Sequence, residues 1–275
     1  NIYSSYILYI FLNKKGVTLM TSSDIRKNAR ESLTGKWGKG VLITFCFFVI
    51  EFLINFIISG AKNLSPLFSS LLSIGDVIVS IPLSYGLLIS FIKLKRGEEV
   101  NAFDFLTDGF SNFGRIWGIA WNVIKKMILP IVLIIVTYVL FSVFVAFSAV
   151  YMFTASSTAL PVLLSIICSL ALLALYVWVY IKSLLYSLVY QVSYDNPNFS
   201  SKEVVEQSER LMKGKRGDYF ILQLSFIGWA LLACLTFGIG MLWLVPYISV
   251  ATVCFYEALS GKRNISIEID SEKAE

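Results

Sequence analysis

Three charged side chains lie well inside the long apolar runs of this 275-residue chain, away from the ends of those runs, where a charge could do chemistry. Glu51 is in the middle of the first run, Lys182 is in the second half of the fourth, and Asp76 is in the second. A charge at the centre of a bilayer costs about 3 kcal/mol on insertion scales, so each should face protein and have a partner. Counted at about 1.5 Å per residue from the basic ends of their spans, Glu51 and Lys182 lie at similar depths. We therefore predict that these two side chains pair.

The Glu51–Lys182 pair allows two interpretations. It is either a polar centre in the path of a substrate or ion, or a structural pair that fixes the register of two helices. Asp76 also allows two interpretations, because a glycine precedes it and Pro82 and Gly86 follow it. The second span is either a broken helix that lines a cavity, or it starts later and leaves Asp76 at the outer interface. For Asp76 we favour the interfacial position.

The chain lacks the residues that most catalytic and metal-binding sites require. Histidine is absent, which excludes Ser-His and Cys-His catalysis, HExxH zinc sites and histidine-ligated haem. The four cysteines fall inside apolar runs without CxxC spacing, so we interpret them as packed thiols. No serine in a span has a base beside it. We predict no catalytic, cofactor or metal site, and a protein that is not an enzyme.

The elements that carry these residues are those of a membrane protein. Of the chain, 57% is hydrophobic and 15% is charged, whereas a soluble domain is about 45–50% apolar and about 25% charged. Six apolar runs approach or exceed the roughly 20 residues that cross a bilayer. We predict an all-α polytopic protein whose six transmembrane helices form three hairpins. The six runs are 38–59, 67–92, 127–151, 160–190, 219–236 and 241–259.

The basic residues alternate between the gaps that separate these runs. Counted from Met20, and with Lys39 at the edge of the first run included, nineteen of the 23 Lys and Arg residues lie before the first run, after the second, after the fourth and in the tail 260–275. The three other gaps contain Lys62 alone. Because basic loops stay on the cytoplasmic side, this pattern predicts a bacterial cytoplasmic membrane protein with both termini in the cytoplasm.

Three segments between runs have the pattern of amphipathic helices. Residues 20–37 and 200–212 place apolar residues on one side, the second after a capping box, and we expect the same of 103–115. We expect these helices to lie among the inner headgroups and to bind anionic lipid rather than nucleic acid. The basic residues expected to do so are Arg26, Lys27, Arg30, Lys213, Lys215 and Arg216. Five aromatic residues near the ends of spans fit interfacial belts: Trp37, Trp117, Trp229, Trp243 and Tyr247.

The same three segments end alike, in GKWGKG (35–40), NFGRIWG (112–118) and GKRGDY (214–219). One interpretation is an internal repeat of a surface helix followed by a two-span hairpin. The other is that Gly, Lys and Trp gather wherever a chain enters a membrane. A separate hypothesis concerns residues 1–19, which precede Met20 and read as the translated leader of a gene that starts at that methionine.

Several blocks of the sequence resemble one family. SDIRKNARESLTGKWGKGV near the start, IPLSYGLLISFIKLKRGEEV (81–100), DGFSNFGR (108–115) and the block 194–259 are similar to the DUF975 family of bacterial integral membrane proteins. The resemblance covers about residues 20–259 and implies a membrane fold but no reaction.

Two functions remain open at this stage. The first is non-enzymatic handling or sensing of lipids, peptides or envelope stress, which rests on the three basic surface helices. The second is a small transporter or channel-like carrier, which rests on Glu51, Lys182 and Asp76.

Overall fold

The computed structural model describes residues 21–62, 65–154 and 159–261. These residues form α-helices and one short 3-10 helix, Leu184–Tyr186, without a strand among them. The α-helices are α1 (Ser22–Leu33), α2 (Trp37–Lys62), α3 (Pro66–Arg96), α4 (Asp104–Ser111), α5 (Phe113–Thr154), α6 (Ala159–Ser183), α7 (Val189–Asp195), α8 (Ser201–Met212), α9 (Arg216–Leu224), α10 (Ile227–Leu235) and α11 (Met241–Ser260). The predicted leader, 1–19, lies outside the described residues.

Six helical stretches are long and apolar enough to cross a membrane, which confirms the prediction of an all-α polytopic membrane protein. They are Trp37–Ala61, Pro66–Arg96, Phe113–Ser148, Val162–Asp195, Arg216–Leu235 and Met241–Ser260. The third stretch begins at 113, earlier than the predicted 127, because no residue between the two positions interrupts the helix. The fourth and fifth are each interrupted once, after Ser183 and after Leu224.

One half of the bundle is tightly packed, and in the other half many apolar side chains are exposed. We call the packed half the basic end: it contains α1, α4, α7 and α8 together with the adjoining ends of α2, α3, α5, α9 and α11. Its core includes Leu33, Phe91, Phe105 and Met212, each almost completely buried. In the opposite, distal half, the outward faces of α2, α5 and α6 are exposed and apolar, as expected for surfaces that contact lipid.

The apolar faces of α1 and α8 are buried in protein, which corrects one prediction. Ile25, Ala29 and Leu33 of α1 are at most 2% exposed, and Val204 and Met212 of α8 are not exposed at all. We had expected these faces to insert among lipid headgroups. They belong to the core of the basic end instead, because periodicity identifies an apolar face but not what covers it.

The first and third surface helices share one geometry. Thr21 caps α1 and Ser200 caps α8, each in a capping box, and each helix runs for 12 residues. A three-residue turn follows, with Gly35 at φ 74° and Gly214 at φ 79°, where a residue with a Cβ would be strained. This matched spacing supports an internal repeat for these two units. The middle unit departs from it, since α4 has 8 residues and its C-cap has φ −125°.

The capping box of α8 also makes the carboxyl group of Glu203 more acidic. The backbone N–H of Ser200 donates to this carboxylate at 2.7 Å and lowers the pKa of Glu203 below its usual range. A lowered pKa means that the cap stabilises the fold above the unfolded-state pKa. That contribution disappears as the pH falls through the lowered value.

The helix α4 packs directly on α3 through two glycines. A Cβ on Gly86 would overlap the carbonyl oxygen of Phe105 and lie 2.8 Å from the amide nitrogen of Gly109. A Cβ on Gly109 would in turn lie 3.0 Å from the carbonyl carbon of Pro82. The two backbones are therefore in contact, as at small-residue crossings between membrane helices.

Ion pairs connect the helix ends at the basic end. Lys93 of α3 pairs with Asp108 of α4 at 2.7 Å, and Lys126 of α5 pairs with Glu209 of α8 at the same distance. Arg96 contacts Asp195 of α7 with two guanidinium nitrogens, at 2.8 and 3.1 Å. It also lies 3.5 Å from Glu257 of α11, which pairs with Lys95 as well.

Candidate functional site

A groove of about 400 Å³ runs between the third hairpin and the start of α2. Its walls are aromatic and aliphatic, and one cation lies among the residues that line it. The lining residues are Arg30, Trp37, Trp229, Leu232, Ala233, Thr236, Gly240, Trp243, Leu244 and Tyr247. A volume in this range is typical of sites that bind small molecules.

Tyr247 holds the basic end of the groove in place. Its ring lies 5.0 Å from that of Phe226, edge to face, and 6.3 Å from that of Trp37. Its hydroxyl donates to the backbone carbonyl of Arg26 at 3.4 Å. Tyr247 is 7% exposed, whereas Trp229 and Trp243 are about half exposed and form the open side of the groove.

Arg30 supplies the positive charge of the groove. One guanidinium nitrogen donates to the Tyr247 hydroxyl at 3.5 Å, and no ion pair to Arg30 is formed within the described part of the chain. Other basic residues nearby are engaged: Lys27 faces Glu31 at 4.0 Å, and Lys215 faces Asp218 at 3.8 Å. A guanidinium has five N–H donors, so Arg30 can bind a phosphate or carboxylate with two of them.

The other predicted headgroup-binding residues also lie at the basic end. Arg26 is half-buried and donates to the carbonyl of Ser22, Lys213 is exposed, and Arg216 is half-buried at the start of α9. Basic residues of the glycine-spaced turns have structural partners as well. Lys36 donates to the Leu94 carbonyl at 2.9 Å, which satisfies an acceptor in the last turn of α3.

The predicted Glu51–Lys182 pair does not form among the described residues. Glu51 is half-buried on α2, and the charged residue that acts on its carboxylate electrostatically is Asp76 of α3. The ammonium group of Lys182 lies 5.6 Å from the ring centre of Trp178, on its own helix. The two side chains were predicted at similar depths, but they are on helices that pack against different neighbours. The helix α2 packs on α3 and α11, whereas α6 packs on α5.

Asp76 lies inside the long helix α3, and its position at the outer interface stays a prediction. The helix begins at Pro66, so Asp76 is about 15 Å along it. One of its carboxylate oxygens is buried and has no hydrogen-bond donor among the described residues. The structure thus brings Glu51 and Asp76 together, without Lys182.

The second span is also not broken, although Pro82 removes one hydrogen bond from α3. Proline has no N–H, so the carbonyl of Ile78, four residues earlier, has no partner in the helix. The indole N–H of Trp117 donates to that carbonyl at 3.3 Å. Trp117, predicted as part of an aromatic belt, therefore keeps α3 continuous from Pro66 to Arg96.

A comparison with protein families identifies the chain. The model described as "Protein of unknown function (DUF975)" matches residues 20–263. The chain belongs to the DUF975 family. The resemblance seen in the sequence is thereby confirmed. No curated protein and no solved structure matches the chain.

Sequence reasoning on this DUF975 protein missed the groove but not its residues. Trp37, Trp229, Trp243 and Tyr247 were interpreted as belts, and Arg30 as one basic residue among several. One signal was present: Trp243 and Tyr247 are four residues apart, and therefore on one face of α11. In the described ranges, no cluster of three or more His, Cys, Asp or Glu could hold a metal ion.

Proposed function

We propose that this DUF975 protein binds an anionic phospholipid of its membrane without catalysing a reaction. The acyl chain lies in the groove, and the phosphate binds to Arg30. The observation that supports this is a guanidinium that lies at one end of an apolar, aromatic groove and forms no ion pair with any described residue. This form of the proposal replaces insertion of the surface helices, whose apolar faces are buried in the protein.

The chemistry of the groove favours a lipid over a water-soluble anion. Leu232, Trp229 and Trp243 are each about half exposed and can cover a hydrocarbon chain. Aromatic side chains provide a large contact area and lose little conformational entropy on binding. A soluble anion would use Arg30 alone and leave these surfaces in contact with water.

The orientation that we propose places the basic end in the cytoplasm. The lysines and arginines of this end would then face the anionic leaflet, where each contributes about 1 kcal/mol of attraction. Such a field concentrates anionic lipid near the groove, and Arg30 adds a directed contact to the phosphate.

Replacing Arg30 with glutamine should weaken the binding of phosphatidylglycerol about tenfold, because a hydrogen bond to a charged group contributes about 1.5 kcal/mol. Binding of zwitterionic phosphatidylcholine should stay the same within twofold. Native mass spectrometry of the detergent-solubilised protein, titrated with each lipid, measures both affinities.

The matched control is Lys27→Gln on the same helix, since Lys27 is exposed and does not line the groove. It should leave the affinity for both lipids unchanged. Equal losses for Arg30→Gln and Lys27→Gln would mean that net charge attracts the lipid and would remove the groove from the proposal.

A second candidate function is a small carrier for protons or cations, supported by the Glu51–Asp76 pair. Two carboxylates on neighbouring membrane helices repel when both are charged, which favours binding of a proton or cation between them. Glu51→Gln together with Asp76→Asn should then abolish a pH-driven flux in proteoliposomes, with Asn55→Asp as a control on the adjacent turn of α2. If the unaltered protein carries no flux above that of empty liposomes, this function is wrong.

A further inference from the structure

We infer that the third hairpin, α9 to α11, ends within the hydrocarbon of the membrane, and that its tip contacts acyl chains rather than water on the distal side. The tip comprises residues 235–243. This inference goes beyond the proposed function, because it concerns the depth of the hairpin and does not depend on what the groove binds.

The depth of the tip follows first from the contact between α11 and α2. Gly40 packs on Pro246 of α11, so closely that a Cβ on Gly40 would lie 3.2 Å from the Pro246 Cβ. From Gly40, α2 continues to Lys62, a rise of about 33 Å. From Pro246 toward the tip, α11 continues only to Met241, a rise of about 8 Å.

A contact on another side of the hairpin leads to the same conclusion. The ring of Phe220 on α9 lies 6.1 Å from that of Tyr180 on α6, edge to face. From Tyr180, α6 continues to Ala159, about 32 Å away along the helix. From Phe220, α9 and α10 reach Leu235 after about 22 Å at most. By both measures the tip stops short of the distal ends of its neighbours.

The residues of the tip suit hydrocarbon. Phe237 is 99% exposed, Leu235 is 77% exposed and Ile239 is 61% exposed, so the most outward side chains are apolar. No charged residue occurs between Asp218 and Glu257. By contrast, the sequence between the two spans of each other hairpin is polar, with Lys-Asn at 62–63 and Ser-Ser-Thr at 156–158.

The backbone of the tip is also satisfied without water, which hydrocarbon requires. Every amide N–H from Thr236 to Leu244 donates to an acceptor within the hairpin. The Thr236 hydroxyl accepts from the Gly240 amide at 2.9 Å and donates to the Ala233 carbonyl at 2.8 Å. Gly240 is needed for this closure, because a Cβ there would lie 2.8 Å from the Cα of Ala233.

Cysteine accessibility tests the depth of the tip. In full-length protein whose four native cysteines are replaced by alanine, single cysteines are placed by Ile239→Cys, Ser157→Cys and Glu98→Cys. A membrane-impermeant maleimide should label Ser157→Cys from one side of the membrane and Glu98→Cys from the other. Ile239→Cys should be labelled from neither side, and fully after denaturation in SDS. Labelling of Ile239→Cys from the same side as Ser157→Cys would overturn the inference.

A charge substitution provides a second, independent measurement. Ile239→Lys should lower the midpoint of thermal unfolding in lipid nanodiscs by several degrees, because the lysine would be in hydrocarbon. Ser157→Lys, in a distal turn expected to be in water, should leave the midpoint unchanged. Equal midpoints for the two variants would contradict a tip that lies in hydrocarbon.

Discussion

Gly86→Ala is expected to destabilise the fold by about 3 kcal/mol, at the upper end of the usual range for overpacking. The new methyl group would meet the backbone of α4 at Phe105 and Gly109, and not the flexible end of a side chain. The helix α4 would therefore have to move away from α3, which would also stretch the Lys93–Asp108 ion pair beside it. The midpoint of unfolding in mixed micelles, with increasing SDS, measures the loss.

Gly75→Ala is the matched control, because the same substitution on the same helix meets nothing within 4 Å. Its effect should stay within about 1 kcal/mol, the intrinsic difference between the two residues in a helix. If the two variants unfold at the same SDS fraction, the close contact of α3 and α4 is not important for stability.

Arg96→Leu is expected to destabilise the protein by about 3 kcal/mol, because it removes a cation that contacts two largely buried carboxylates, those of Asp195 and Glu257. The Asp195 side chain is 3% exposed and that of Glu257 is 13% exposed. Asp195 is the last residue of α7 and Glu257 is in the last turn of α11, so the loss should loosen the packing of both helix ends against α3. Thermal unfolding of the purified protein in detergent measures the change.

Two further variants serve as comparisons. One tests whether charge alone at position 96 is sufficient for stability, and the other removes an exposed ion pair elsewhere. Arg96→Lys keeps the charge but cannot contact Asp195 with two nitrogens, so it should recover only part of the loss. Lys27→Gln removes an exposed ion pair and should change stability by less than about 0.5 kcal/mol. A loss for Arg96→Leu no larger than that for Lys27→Gln would show that the network contributes little.

The sequence alone determined the class of the protein and much of its local structure. Six long apolar runs predicted six helices, since a run of about 20 apolar residues matches a helix that crosses the bilayer and satisfies its own backbone hydrogen bonds. The capping box of α8 was readable from Ser200 and Glu203, because a cap depends on residues three apart in the chain. The family was identifiable for a similar reason, as its characteristic blocks are continuous in the sequence.

The tertiary structure decided what covers each helix face. The depth of Glu51 was countable from the sequence, but depth along a helix does not determine the direction in which a side chain points. Glu51 is therefore influenced electrostatically by Asp76, whereas Lys182 lies over the ring of Trp178 on its own helix. The same limit applies to α1, whose apolar face was evident but whose contacts with protein were not.

The groove and the short third hairpin depend on tertiary structure most strongly. Arg30 and Trp37 are far from Trp229 in the chain, and only the packing of α1 and α2 against α10 and α11 brings them together. The length of α11 is sufficient for a span, yet Gly40 contacts it near its start and so sets its depth. Length and hydropathy are properties of one segment, whereas position in a bundle is a property of pairs of segments, and a single sequence records only the first.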